Sequence, residues 1–360
     1  MDKKIPQEFF YMKMKNFLLA LAQDKINGKY APVKFFMYCV SLFYLAAIKL
    51  LICAYNCKLL KRHKLESVVI SVGNITLGGT GKTPLVEFIA RRVQAKGKNV
   101  VILSRGWPRE EEQADEVKIY REKIPHIPVV VGRDRYQTGK KALRTHQAET
   151  LILDDGFQHV RLFRDLDIVT VDMIAPFGNR HVIPRGILRE PISHLKRADV
   201  IVLTRTDIGR ENVPRIKQII LSVNNNALIV ETIHKPISIY DPLMKTHMPP
   251  SVIKGVGVGV VSGIGNPLSF EQTVSGLGAA VAEKFRFPDH HQYTENDILR
   301  VKTVCGNKKI DQIITTLKDW IKICDVYGAV DIKVWVLTIE LEIIKNEEEF
   351  TKRLFSLYKR

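Results

Sequence analysis

The sequence predicts an α/β protein: a doubly wound, mostly parallel sheet, a smaller second α/β lobe, and an N-terminal helix that associates with a membrane. Three observations predict it. Short apolar runs alternate with helical stretches from about residue 65 to 210, a glycine-rich turn joins the first run to the first helix, and a long apolar segment precedes both. At 360 residues, with 46% hydrophobic and 26% charged content, the chain is globular and larger than most single domains. We divide it into an N-terminal membrane-associating helical segment (1–64), a core (65–210), and a second lobe with a C-terminal tail (211–360).

The N-terminal segment reads "PVKFFMYCVSLFYLAAIKLLICAYNCKLL" from Pro32 to Leu60, with Lys25, Lys29 and Lys34 before it or at its start and Lys58, Lys61, Arg62 and Lys64 at its end. No small-residue cleavage site follows, so it is not read as a signal peptide. The apolar run from Phe35 to Ile48 is shorter than the roughly 20 residues a spanning helix needs, and Lys49 interrupts it. Lys34, Tyr38, Ser41, Lys49 and Asn56 make a thin polar stripe, which suits a helix lying in the membrane interface. A true span and a buried helix of a soluble core are the alternatives.

Next, "VVISVG" reads as a buried strand, "NITLGGTGKT" as a glycine-rich turn, and the residues from Pro84 as an apolar-periodic helix. Strand, glycine turn and helix in that order place turn amides, a helix N-terminus and the Lys82 ammonium around one anion. The loop Thr76, Leu77, Gly78, Gly79, Thr80, Gly81, Lys82, Thr83 differs from G-x-x-x-x-G-K-[ST] only in Thr76, which stands at the first glycine. This makes the core P-loop NTPase-like. "NVVILSRGW" is a further strand ending at Arg105, followed by an acidic, glycine-free stretch from Glu110 to Glu116. "IPVVVGRDR" closes on Arg133 and Arg135 before a helix from Tyr136 to His146. "TLILDDGFQHVRLFRDLDIVTVD" supplies two strands and "DVIVLTRTD" another; beyond residue 210 come "ALIVETIHKPISIY", "GVGVGVVSGIGNP" and a helix-rich tail. "GVGVGV" does not satisfy G-x-G-x-x-G and receives no site.

The chemistry is legible at three places. In "LILDDGF" a strand ends in Asp154 and Asp155, candidates to hold Mg²⁺ or its water shell, with Thr83 as a further ligand. A kinase must also accommodate the proton of its acceptor hydroxyl. Asp115 in "QADEV" and His290 in "FPDHHQY" form the candidate pair, a carboxylate that accepts a proton and an imidazole that orients or relays it. The residues alone leave a solvated Asp115, and a structural turn or metal site at His290 and His291, as alternatives. Arg105, Arg133, Arg135 and Arg189 sit at strand ends or in "IPRGILREP", where guanidiniums grip phosphates.

A net charge of +17 favours an anionic partner, either a phosphorylated small molecule or an acidic membrane surface. The basic residues are spread along the chain without aromatic interleaving, which argues against nucleic acid. Five cysteines, with no C-x-x-C pair, suit free thiols in a reducing compartment; Cys53, Cys57 and His63 lack a fourth ligand for zinc.

Seven segments in order, "SVGNITLGGTGKTP", "SRGW", "DEVKIYREKIPHIPVVVGRDRY", "LILDDGFQHVRLFRDLDIVTVD", "GNRHVIPRGILREP", "SGIGNP" and "FPDHHQYT", resemble the tetraacyldisaccharide 4'-kinases of lipid A biosynthesis. The resemblance covers roughly residues 10 to 320. It implies transfer of the γ-phosphate of ATP, with Mg²⁺, to the 4'-hydroxyl of a tetraacylated glucosamine disaccharide 1-phosphate. It also implies work at the cytoplasmic face of the inner membrane, on a phosphorylated glycolipid and an anionic surface, with no obligate protein partner. By motif, the family's catalytic Asp falls on Asp115, its histidine partner on His290, its P-loop Lys on Lys82 and its acidic pair on Asp154 and Asp155. Gln158 and His159 join the substrate or phosphate contacts. Arg185 and Ile187 stand where the family commonly has Ala and Pro, and Leu317 where it has Glu. A membrane-bound P-loop nucleotidase or switch without a lipid acceptor is the alternative.

Overall fold

The computed structural model describes residues 14, 17–24, 26, 28–106, 115–329 and 332–359. Lys25, Trp107 of "SRGW" and the acidic residues 110–112 lie outside them. The strands are β1 Val68–Asn74, β2 Val100–Ser104, β3 Val129–Val131, β4 Thr150–Asp154, β5 Leu166–Asp172, β6 Val200–Thr204, β7 Leu228–Asp241, β8 Thr246–Met248, β9 Gly257–Ser262, β10 Ala280–Arg286, β11 Gln312–Thr316 and β12 Lys333–Lys345. The chain forms two compact units that are discontinuous in sequence. One comprises Met1–Thr80, Asp155–Glu231 and Asn346–Arg360, the other Gly81–Asp154 and Thr232–Lys345. They therefore differ from the linear 65–210 and 211–360 partition: the chain passes from one unit to the other within the P-loop and again between Asp154 and Asp155.

In the first unit β5 pairs in parallel with β1 and with β6, and β6 in parallel with the start of β7. All seven residues of β5 are buried, as a strand covered on both faces requires. Phe157, Val169, Val171, Met173, Leu188, Ile201 and Ile220 form its core. Gly73 is obligatory there, because a Cβ would come within 2.5 Å of Phe157 Cβ.

The apolar helix Ala31–Asn56 belongs to this unit and is two-sided. Met37 and Ser41 are buried and Tyr44 and Leu45 pack on the core, whereas Phe35, Phe36, Phe43 and Leu50 are each at least 68% exposed. The docked face is also polar. Ser41 Oγ accepts from Arg185 N (2.9 Å) and donates to a carbonyl of Met37 or Val182, and Tyr44 Oη donates to Arg189 O (2.9 Å). Just before the helix, Asp24 accepts from Lys34 (2.7 Å), from Asn179 (2.9 Å) and from both terminal nitrogens of Arg185. Burial works to raise the Asp24 carboxyl, but those donors outweigh it and hold it well below the usual carboxylate range. Arg185 thus has its partner in the N-terminal segment.

In the second unit β2 lies between β3 and β4, and β9, β11 and β12 follow from β10, all in parallel; β12 neighbours β7, whose hairpin with β8 is antiparallel. β10 lies at one edge, and its residues alternate between exposed and half-buried. Ile298, Val301, Ile313 and Ile323 form one core here and Val260, Phe270, Ile314 and Trp335 another. The Arg135–His146 helix starts at Asp134, whose carboxylate accepts from the amides of Tyr136 and Gln137. Asp115 opens a helix, Asp115–Lys123, where the sequence suggested only an acidic loop.

Candidate active site

In the first unit the P-loop is held by its carbonyls. Arg205 Nη1 donates to Gly79 O (3.1 Å) and Thr204 Oγ1 to Thr80 O (2.9 Å). A trans peptide sets N–H opposite C=O, so the amides of Thr80 and Gly81 point away from those donors, which is the orientation anion binding needs. Arg205 is fixed by Asp172 (2.7 Å), and the Thr80 and Thr170 hydroxyls lie 2.7 Å apart. Asn74 Nδ2 donates to Thr76 O (2.8 Å), and Leu77 N donates to Ile187 O (2.7 Å).

The same unit brings together Asp155, Gln158 and Arg189. Arg189 Nη1 donates to both Asp155 oxygens (2.7 and 3.0 Å), and Gln158 Nε2 donates to Asn74 O (3.0 Å) and Glu190 Oε1 (2.9 Å). Glu190 also receives Arg197 (2.8 Å) and faces His194 Nδ1 at 2.6 Å. Its burial favours the neutral acid. Hydrogen bonds from His194, Arg197 and Gln158 and the charge of Arg197 prevail and bring it down to about 2. His159 is half-buried in the same turn, where its amide donates to Gly156 O.

In the second unit Gly81, at φ 83°, caps the Lys82–Gln94 helix, so Lys82 and Thr83 occupy its first turn. Tyr120, fully buried, donates to Asp154 Oδ2 (3.1 Å) and is hydrogen-bonded with Thr83. It therefore ties together two of the expected metal ligands. Arg135 is 2% exposed and donates to the carbonyls of Gly132 (2.6 Å) and Asp154 (3.1 Å), backbone contacts that the sequence reading did not include. Arg105 and Arg133 are exposed.

Also in the second unit, Asp115 Oδ2 lies 2.9 Å from His290 Nδ1 and accepts from Lys322 Nζ at 3.1 Å. Burial acts to raise the Asp115 carboxyl, but the His290 hydrogen bond, then the charge and hydrogen bond of Lys322 and the charge of Lys318, bring it down to about 2. An ionised carboxylate only accepts, so Nδ1 is the donor, and Nε2 is the ring nitrogen left facing away from that bond. Lys318 Nζ stands 3.4 Å from Nε2 and 3.0 Å from Asp289. Sequence reasoning missed Tyr120, Lys318 and Lys322. The available signal for the lysines was their i, i+4 spacing in "TLKDWIK", on a helix just after a strand.

The family model described as Tetraacyldisaccharide-1-P 4'-kinase matches residues 33–359. The chain belongs to that family. Curated members of the tetraacyldisaccharide 4'-kinases include a protein of Halothermothrix orenii, 39% identical over 322 residues, 80% of this chain and 84% of that one. Another, from Syntrophus aciditrophicus, is 32% identical over 354 residues and covers 91% and 94% of the two chains. The crystal structure of LpxK from Aquifex aeolicus in complex with ATP superposes with a TM-score of 0.70 at 28% identity, covering 91% of this chain and 99% of that one. The family match also extends past residue 320, where the motifs had ended. It takes in β12 and the Glu347–Phe355 helix, so the tail is part of the kinase fold.

Proposed function

We propose that the chain phosphorylates the 4'-hydroxyl of a tetraacylated glucosamine disaccharide 1-phosphate with ATP. The observation that carries the mechanism is the 2.9 Å contact between Asp115 and His290 on a P-loop kinase fold. Asp115 Oδ2 already faces His290 Nδ1 and the Lys322 ammonium, which supports giving the proton to the imidazole and the supporting role to the carboxylate. His290 Nε2 accepts the 4'-hydroxyl proton, and Asp115 stabilises the imidazolium that forms. The sugar oxygen attacks the γ-phosphorus, the bond to the β,γ-bridging oxygen breaks, and ADP leaves. Lys82 and the P-loop amides offset the charge on the moving phosphoryl group.

Mg²⁺ fits the oxygen donors present, with the Thr83 hydroxyl and the Asp154 carboxylate both bonded to Tyr120. When bound, the ion neutralises charge shared between the β- and γ-phosphates. Asp155, the next carboxylate of the motif, is bonded to Arg189.

The helix Ala31–Asn56 supplies membrane association. Its aromatic face is open while its Ser41 and Tyr44 face is bonded to the first unit, which supports a helix lying in the interface over one surrounded by lipid. Dependence on ATP, a cytoplasmic nucleotide, supports reading that interface as the cytoplasmic side of the inner membrane.

The test is to incubate purified protein with Mg²⁺-ATP and the detergent-dispersed lipid and to follow addition of one phosphate by mass spectrometry. Product that disappears in Lys82→Ala supports the reading. ATP hydrolysis with unmodified lipid would replace it with a nucleotidase or switch.

A further inference from the structure

We propose that Lys322 is a positioning residue for phosphoryl transfer, its buried ammonium fixing the Asp115 carboxylate so that His290 is held with Nε2 available to the acceptor hydroxyl. This rests on His290 as the proton acceptor. Lys322 is 3% exposed and its Nζ donates to Asp115 Oδ2, the same oxygen that faces His290 Nδ1. A lysine is rarely buried to this degree, because the ammonium loses its hydration, and an apolar side chain would fill the same space at less cost. What an apolar residue would not do is donate to the carboxylate oxygen that faces the imidazole.

The helix that carries Lys322, Leu317–Ile323, is itself held in place. Asp319, with no exposure, accepts from Tyr293 Oη (3.0 Å), Gly263 N (2.9 Å) and Thr316 Oγ1 (2.7 Å). Among the described residues, the charged groups around Asp115 come from three segments. His290 and Asp289 come from the segment after β10, Lys318 and Lys322 from this helix one turn apart, and Glu116 from the helix of Asp115 itself. Tyr293 and Asp319 satisfy each other behind them. The cation also raises the cost of a second positive charge on the ring, so removing it makes the imidazolium easier to form.

The experiment compares wild type, Lys322→Met and Lys322→Arg in lipid phosphorylation across pH, with His290 titration followed by NMR. In Lys322→Met we expect kcat to fall about 30-fold with KM for ATP within about twofold, the signature of a group that acts after nucleotide binding. The acid limb of the rate profile and the His290 titration should both move to higher pH by about one unit, and Lys322→Arg should restore them. In the Asp115→Asn background, Lys322→Met should add little, since it acts through that carboxylate. Coincident titration curves, or full additivity in the double variant, would overturn the assignment. Lys322→Gln, which keeps a donor without the charge, repeats the comparison if the methionine variant loses its fold. A wild type without lipid phosphorylation would overturn the substrate reading alone, and the NMR titration would still decide the role of Lys322.

Discussion

Removing one oxygen from Tyr120 should separate metal alignment from packing. The ring is fully buried, so Tyr120→Phe opens no cavity. What disappears is the hydroxyl that donates to Asp154 Oδ2 at 3.1 Å and bonds with Thr83. Burial, then the negative charges of Asp154 and Glu116, raise this phenol well above its ordinary value, so it remains a donor throughout the usable pH range. A hydrogen bond to a charged group contributes about 1.5–3 kcal/mol. Asp154 keeps other contacts, which argues for the low end. About 1.4 kcal/mol corresponds to tenfold, so the Mg²⁺ concentration for half-maximal rate should rise roughly tenfold, equally at pH 7 and pH 9. Initial rates against Mg²⁺ at fixed ATP provide the assay, with thermal unfolding as control. A folded variant with an unchanged Mg²⁺ curve would refute the idea that this phenol aligns the ligands.

Three further outcomes are expected. His290→Ala should lower kcat by about 10²–10⁴ with ATP affinity retained, the range for loss of a general base, and Asp115→Asn should cost less; the reverse order in single-turnover assays would return the proton to Asp115. Glu190, depressed from near 4.5 to about 2, and Asp115, depressed from 3.8 to about 2, contribute stability present above those ordinary values and lost as pH falls toward 2. Glu190 alone accounts for roughly 3 kcal/mol of it, so Glu190→Gln should flatten the acid denaturation curve measured by circular dichroism between about pH 4.5 and 2. Replacing Phe36 and Phe43 by Ser should reduce sedimentation with anionic vesicles without changing the unfolding midpoint, because both rings are exposed; unchanged sedimentation would move the membrane contact elsewhere.

Much of the site was legible because its chemistry is local in sequence. The P-loop and "LILDDGF" each compress strand, turn and ligands into a few residues, and alternation of apolar runs with helices suffices for a parallel sheet. What escaped depends on long-range contact. Lys322 meets Asp115 across more than two hundred residues, and the i, i+4 spacing of the lysines in "TLKDWIK" does not by itself name that partner. Arg135 reads as a strand-end arginine, and its bond to the carbonyl of Asp154 comes from a different strand. Tyr120 reads as an ordinary core aromatic; its hydroxyl acquires meaning only when β4 delivers Asp154 to it. The unit boundaries were invisible for the same reason, since connectivity is linear and compactness is not.

The bonded face of the N-terminal helix changes how a shortened, more soluble chain should be interpreted. Deleting residues up to about Arg62 removes Asp24, Ser41 and Tyr44 together, and with them the partners of Arg185 and the donor to the carbonyl of Arg189. The 178–191 segment would then lose its anchorage while Arg189 is still asked to bond Asp155. Poor turnover by such a truncation would mix two defects, a missing apolar helix and a loosened 178–191 segment. Surface substitutions that leave Ser41 and Tyr44 in place are the cleaner route to a detergent-free enzyme.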